Sequence, residues 1–225
     1  MPLTPDPQAR PRPLVLLHGI GQSPIAWQEF VSAFGVGRAM HAPWMRGLKP
    51  SDAVGFDLDA AALDVANQLE LQGMRQVDLL GVSVGGNVAL RLAVERPELV
   101  GRLVLAGALV RPTKAQLRMQ KLALRIVPER KLVDAGVSRP RMLAVFDALR
   151  TLDETSRLAQ VQAPALVVAG SGDRLGRASA EVLARGLPNA RFETIAGGGS
   201  MLNDSSPQEL AALAHTFLDA PLPVE

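Results

Sequence analysis

Gly81-Val82-Ser83-Val84-Gly85 sets a serine between glycines, directly after an apolar run and directly before a Gly-rich helical pattern. A serine on so sharp a strand-to-helix turn stands above the sheet with its hydroxyl free to attack a carbonyl carbon. That hydroxyl is a weak nucleophile until a base takes its proton, usually an imidazole steadied by a carboxylate. His18-Gly19-Ile20-Gly21 follows an earlier apolar run, and a turn there can aim backbone N–H groups at a developing oxyanion. The expected donors are the amides of Ile20 and of Val84, the residue after the serine. Asp173, in Ala169-Gly170-Ser171-Gly172-Asp173, leaves a third apolar run into the same crevice, a position suited to orienting an imidazolium. The blander readings are a structural serine in a Gly-rich turn and an ordinary Ser-Gly-Asp turn.

Such groups meet only if the elements carrying them end at one edge. Short apolar runs recur at Leu14–Leu17, Ala39–Ala42, Val77–Leu80, Leu103–Ala106, Ala165–Ala169 and Arg191–Ile195. Several are continuous in Leu and Val, as strands buried on both faces require. Helical patterns separate them. Ser23-Pro24 reads as an N-cap with Pro at the first position, followed by Trp27, Phe30, Val31 and Phe34 on one face. Asp57 opens a second helix that buries Leu58, Ala62, Val65 and Leu69, and Gly85 to Arg96 forms a third, stopped by Pro97. Ser206-Pro207-Gln208-Glu209 reads as a capping box opening a last helix with Leu210, Leu213, Ala214 and Phe217 inward. The alternation predicts an α/β protein whose mostly parallel sheet is covered by helices on both faces. One stretch, Gly107 to Ala163, breaks it with helical patterns and no strand. An insertion there sits over the carboxyl ends of the strands, so a small helical cap over the site is expected.

Bulk properties set the class. A chain of 225 residues is expected to fold as a single domain, with ample core. The formal net charge is +2, and the isoelectric point near 9.5 reflects the absence of Tyr and Cys together with only four Lys. Basicity is therefore no argument for nucleic-acid binding, and none is expected. Without cysteine, thiolate catalysis and disulfides are excluded. Met1–Pro13 does not read as a signal peptide, and no apolar run approaches the roughly 20 residues of a membrane span. The expectation is a cytoplasmic protein acting on a small molecule, without metal or organic cofactor and without membrane contact.

The order Ser83, Asp173, then a turn after the last strand resembles the α/β-hydrolase superfamily, in its compact esterase-like branch. The resemblance rests on Leu16-Leu17-His18-Gly19 with Trp27, Ala42-Pro43-Trp44-Met45-Arg46-Gly47, the Ser83 elbow and Pro97-Glu98-Leu99-Val100. It continues through Ala163-Pro164-Ala165-Leu166, Gly172-Asp173 and Gly197-Gly198-Gly199-Ser200-Met201. It implies acyl transfer on carboxylic esters, lactones or thioesters, with Ser83 as nucleophile, Asp173 as the orienting acid and His18, Gly19, Trp44 and Met201 about the substrate. Three departures accompany it. The family's leading hairpin is expected to be missing or shortened. Trp44 stands where the family often has an acidic residue, and so bulky a ring could line the pocket.

The third departure concerns the base: Ser200 fills the place of the catalytic histidine. A hydroxyl is no base near neutral pH, and losing a triad's base costs roughly 10⁶ in kcat, leaving about 10³–10⁴ over water. Of three histidines, His18 belongs to the oxyanion turn, His41 reads as a core residue of a strand, and His215 lies off the buried face of the last helix. None replaces the base. The chain thus reads as a serine hydrolase of impaired turnover. A non-hydrolytic cyclase, lyase or isomerase and a ligand-binding pseudoenzyme stand as alternatives. In the expected cap, Lys114, Arg118, Lys121 and Arg125 form a basic stripe beside an apolar stripe of Ala115, Met119, Leu122 and Ile126. A solvated face is the plain reading; guidance of an anionic substrate, or contact with a membrane surface or an acidic partner, are the sharper ones.

Overall fold

Continuous apolar runs become the six strands of one parallel sheet in a computed structural model that describes residues 11–134 and 137–220. Most of the Met1–Pro13 stretch, two residues of the expected cap and the last five residues of the chain lie outside the described residues. The strands are β1 (Leu14–Leu17), β2 (Met40–His41), β3 (Val77–Val82), β4 (Val100–Ala106), β5 (Ala165–Gly170) and β6 (Ala190–Ile195), in the order β2-β1-β3-β4-β5-β6. Every pairing is parallel. The helices are α1 (Gln28–Phe34), α2 (Leu58–Leu71), α3 (Val84–Glu95), α4 (Lys114–Ile126), α5 (Glu129–Asp134), α6 (Arg139–Ala148), α7 (Arg174–Gly186), α8 (Leu202–Ser205) and α9 (Pro207–Asp219). No described helix is long and apolar enough to cross a membrane.

Alternate strand residues feed two cores, as a period of two requires. Val15, Leu17, Leu79 and Leu105 face one way and pack with Val65, Leu69 and Val88 of α2 and α3. Leu14, Leu16, Leu80 and Val104 face the other way and pack with Trp27, Phe30, Leu210 and Phe217 around α1 and α9. The strand order reverses between β1 and its neighbours β2 and β3, which opens a crevice at the carboxyl ends of β1 and β3. Helix α3 starts hard against that point. A methyl group on Gly85 would overlap the carbonyl of Leu17, so only glycine lets α3 approach β1 this closely.

Local details differ from the sequence reading for identifiable reasons. The first helix enters through a 3₁₀ turn, Pro24–Trp27, and the Ser23 side chain makes no cap bond. Val31 is exposed, because the turn rotates it off the face shared by Phe30 and Phe34. Ser206 forms no capping box: it ends α8 and begins α9 at once, and its amide already donates to the carbonyl of Leu202. Leu58 and Leu213 are half-buried. His41 is half-buried on the two-residue edge strand rather than in the core, with Nε2 beside the Gln72 amide. Asp57 does cap α2, its carboxylate accepting from the Ala60 amide.

Between β4 and β5 the described residues hold α4, α5, α6 and two 3₁₀ turns, with no strand. Thr113 and Gln116 start α4 with a full capping box. Both ends of this helical segment are tied to α3. Buried Asn87 donates to the Leu109 carbonyl at 2.6 Å and accepts from the Leu109 amide at 3.1 Å. One helical turn on, Arg91 forms a buried ion pair with Glu154, whose amide donates to the Val110 carbonyl at 3.0 Å.

Candidate active site

Ser83 sits where β3 runs into α3, at φ 52° and ψ −125°. It is the one non-glycine residue with positive φ among the described residues. Such a backbone costs energy, and a left-handed serine persists only where its surroundings impose it. They do so through three bonds: its amide donates to the Ala106 carbonyl at 2.8 Å, and its own carbonyl accepts from Gly86 at 2.9 Å and from Asn87 at 3.3 Å. The half-buried side chain is thereby turned out of the sheet and into a cavity of about 390 Å³.

Ile20, Asp173, Ser200 and Met201 lie on the walls of the same cavity. Residues 18–22 turn after β1, with the Gly19 amide held by Oε1 of Gln22 at 3.0 Å. Among the described residues the amides of Ile20 and Val84 have no intrachain acceptor. Val84 is itself buried as the first residue of α3. Asp173 caps α7, with Oδ1 accepting from the Gly176 amide at 2.9 Å, and no donor among the described residues reaches Oδ2. The loop bearing Ser200 is pinned to the loop bearing Asp173. The Gly172 amide donates to the Gly198 carbonyl at 2.9 Å, and the Gly197 amide donates to Oγ of Ser171 at 2.8 Å. A side chain on Gly170 would overlap the Gly198 carbonyl, so β5 can take only glycine where the two loops cross. The Ser200 residue is exposed, and its hydroxyl makes no intrachain hydrogen bond among the described residues.

His18, Gly19 and Trp44 are not on these walls. The His18 ring is buried, and its Nδ1 lies 3.1 Å from the Gly19 carbonyl, which assigns the proton to Nδ1. Its Nε2 is buried without a partner, and the edge of Trp44 meets the ring at 5.2 Å between centroids. Burial pulls the His18 pKa down to about 4, against a weaker opposing pull from the Gly19 carbonyl. No histidine lines the cavity; His41 stands on the far edge strand, and His215 is exposed beside Asp219.

The roof comes from the segment after β4, and its lining was not singled out in the sequence. Gln116, Gln120, Leu124 and Val127 face the cavity from α4 and its end, and Met142, Phe146 and Leu149 face it from α6 and the turn that follows. Both sets recur at helical spacing, three to four residues apart, which is the signal that could have found them. The wall is mostly apolar, and Oε1 of Gln120 is buried in it without a partner. Among the described residues no three acidic or histidine side chains lie together as a metal-holding group. The arrangement offers a positioned hydroxyl, free amides, a carboxylate and a half-open, mostly apolar cavity. It offers no base.

The sequence model of the Alpha/beta hydrolase family matches residues 14–213. The chain is 31% identical over 247 aligned residues to Polyketide synthase ThaQ of Burkholderia thailandensis, covering 93% of this chain but only 12% of that protein. It is 29% identical to the 2-hydroxy-6-oxononadienedioate/2-hydroxy-6-oxononatrienedioate hydrolase of Paraburkholderia phymatum, covering 83% of this chain and 80% of that one. In three dimensions it resembles the enol-lactonase of Burkholderia xenovorans LB400, with a TM-score of 0.82 and 17% identity, over 96% of this chain and 94% of the other. At that identity the likeness is one of fold.

Proposed function

The chain belongs to the alpha/beta hydrolase family, and within it we propose an acyl-transfer site at Ser83 for carboxylic esters, lactones or thioesters, with turnover impaired by Ser200. The observation that carries this reading is the forced left-handed backbone of Ser83 at the mouth of a cavity shared with Ile20, Asp173 and Ser200. A fold with no use for that hydroxyl gains nothing from the strain. In the proposed reaction Ser83 Oγ attacks the carbonyl carbon, and the amides of Ile20 and Val84 receive the oxyanion. The oxyanion collapses, breaking the ester C–O or thioester C–S bond and releasing the alcohol or thiol with a proton from solvent, and water then hydrolyses the acyl-enzyme to the acid and free Ser83. Lacking an imidazole, the serine proton passes to solvent, and the chain retains only what its oxyanion donors and enclosure supply. Residues 107–163 act as the cap that excludes water and selects the acyl group through Met142 and Phe146.

Restoring the base tests this directly. An imidazole in Ser200→His would share the cavity wall with Asp173, so general-base catalysis is expected to return about 10²–10⁴ in kcat on a p-nitrophenyl ester panel. No gain from a folded Ser200→His protein would defeat the reading. The absence of any imidazole on the cavity wall favours one other reading, a non-hydrolytic cyclase, lyase or isomerase that needs only enclosure and hydrogen-bond donors. Labelling of the folded Ser200→His protein with a fluorophosphonate separates the two. Stoichiometric adduct that vanishes in Ser83→Ala supports acyl transfer, whereas a silent serine supports the second reading.

A further inference from the structure

Helix α4 presents three faces at 3.6 residues per turn, and only one of them is used by the fold. Leu117 and Leu124 are buried, while Gln116, Gln120 and Ala123 line the cavity at Ser83. Beyond Ala123 comes an apolar face that no described residue covers: Met119 is 62% exposed, Leu122 62% and Ile126 80%. Beyond that lies the basic stripe. Lys114, Arg118 and Lys121 meet Arg150 around a second cleft of about 330 Å³, whose one acidic group, Asp147, is paired with Lys121 at 2.5 Å. Phe146 is a wall of both cavities.

We propose that α4 docks this protein onto an anionic lipid surface, with Met119, Leu122 and Ile126 dipping into the acyl boundary and the Lys114–Arg150 cleft seating a lipid phosphate. The helix is about 20 Å long, so its apolar ridge and basic stripe can lie along one surface together. Large side chains exposed in a row are an apolar ridge, not scattered surface residues. Beside the ridge stands a line of cations, the pairing that a negatively charged headgroup layer complements. A protein partner is the poorer match. A specific complex needs about 1,000 Å² or more of shaped surface, and α4 offers a ridge one helix wide. The ridge adjoins the cavity-lining face, so a docked molecule would hold the Ser83 cavity next to the bilayer, where apolar esters partition. The docking does not depend on the chemistry proposed at Ser83, because binding is read without turnover.

The test is co-flotation of the full chain with vesicles of phosphatidylcholine alone or with one third phosphatidylglycerol. Binding is expected to the second kind and to weaken steeply with salt. Lys114→Gln and Arg118→Gln should each weaken partitioning about fivefold, and Leu122→Asp with Ile126→Asp should abolish it. All four positions are exposed, and unchanged circular dichroism and melting show that each variant folds. Four results would overturn the proposal. One is no flotation with either vesicle, and another is flotation indifferent to these substitutions. The third is a stable dimer that Ile126→Asp dissociates, which would make a second copy the occupant. Displacement by millimolar inorganic phosphate would also overturn it, by reducing the cleft to a free-anion site.

Discussion

An imidazole sealed from water and held only by a carbonyl resists protonation, and His18 is in that state. Its folded pKa of about 4 lies below the ordinary 6.5, so the unfolded chain binds the proton first as pH falls. Stability from this residue is therefore complete above about pH 6.5 and is lost progressively down to about pH 4, by roughly 3 kcal/mol in all. Urea unfolding at pH 7 and pH 4.5 should show this loss, and His18→Asn, which does not titrate, should lose correspondingly less. An equal slope in the variant would show that His18 is not responsible. Asp173 makes a sharper case. With Ser200 in place it caps α7 and has no imidazole to orient, so Asp173→Asn should change ester turnover little. In the Ser200→His background the same substitution should cost most of the restored rate, because the amide favours the wrong tautomer. A large effect in the parent and none in the Ser200→His protein would place Asp173 outside the triad role.

Helix α3 joins three functions along one face. Its first turn forces the Ser83 elbow, and Asn87 and Arg91 then anchor the two ends of the helical segment that roofs the cavity. Glu154 has no exposure, so removing one partner leaves the other charge buried. Arg91→Met should cost about 3–5 kcal/mol and Glu154→Leu less, because Arg91 keeps exposed Asp59 as a partner, while the double variant should recover much of the larger loss. Additive losses in denaturant melts would rule out a coupled pair. Much of this architecture was legible, because strands buried on both faces must be apolar without interruption, and all six runs became strands. Helix faces were less so: Val31 pointed outward because a 3₁₀ turn preceded it, which periodicity alone does not register. In the site, Ser83, Ile20, Asp173, Ser200 and Met201 share one cavity, since turns after parallel strands must meet at one edge. Trp44 and His18 do not line it, because chain position near a site does not fix where a side chain points. The roof went unread for another reason. Residues 114–126 carry strong basic and apolar stripes, and the face that turns inward, Gln116, Gln120 and Leu124, is the least marked of the three in residue type.

The two ends of the sheet divide stability from chemistry. At the carboxyl ends stand the Ser83 cavity and its loops. At the amino ends a buried cluster clasps the chain's last helix. Asp78, almost without exposure, pairs with Arg38 at 2.5 Å, and burial still raises its pKa against the pull of Arg38, Arg12 and Arg102. Arg38 continues to Asp219 at 2.6 Å. Arg102 donates to the carbonyls of Phe217 at 2.7 Å, Leu218 and Ala220, and its guanidinium lies 5.8 Å from the Phe217 ring centre. These are the carbonyls a helix leaves without partners at its end, so one arginine closes the last turn of α9. Arg102→Met keeps the packing volume and removes the donors, and about 2–3 kcal/mol of stability should go with them. Amide exchange should quicken through the last turns of α9. The sheet lies between that clasp and Ser83, so the rate of fluorophosphonate labelling should stay within twofold of the parent's, about 0.4 kcal/mol. A labelling rate that falls in step with stability would mean that the two ends communicate through β3 and β4, and that the division drawn from the sheet is wrong.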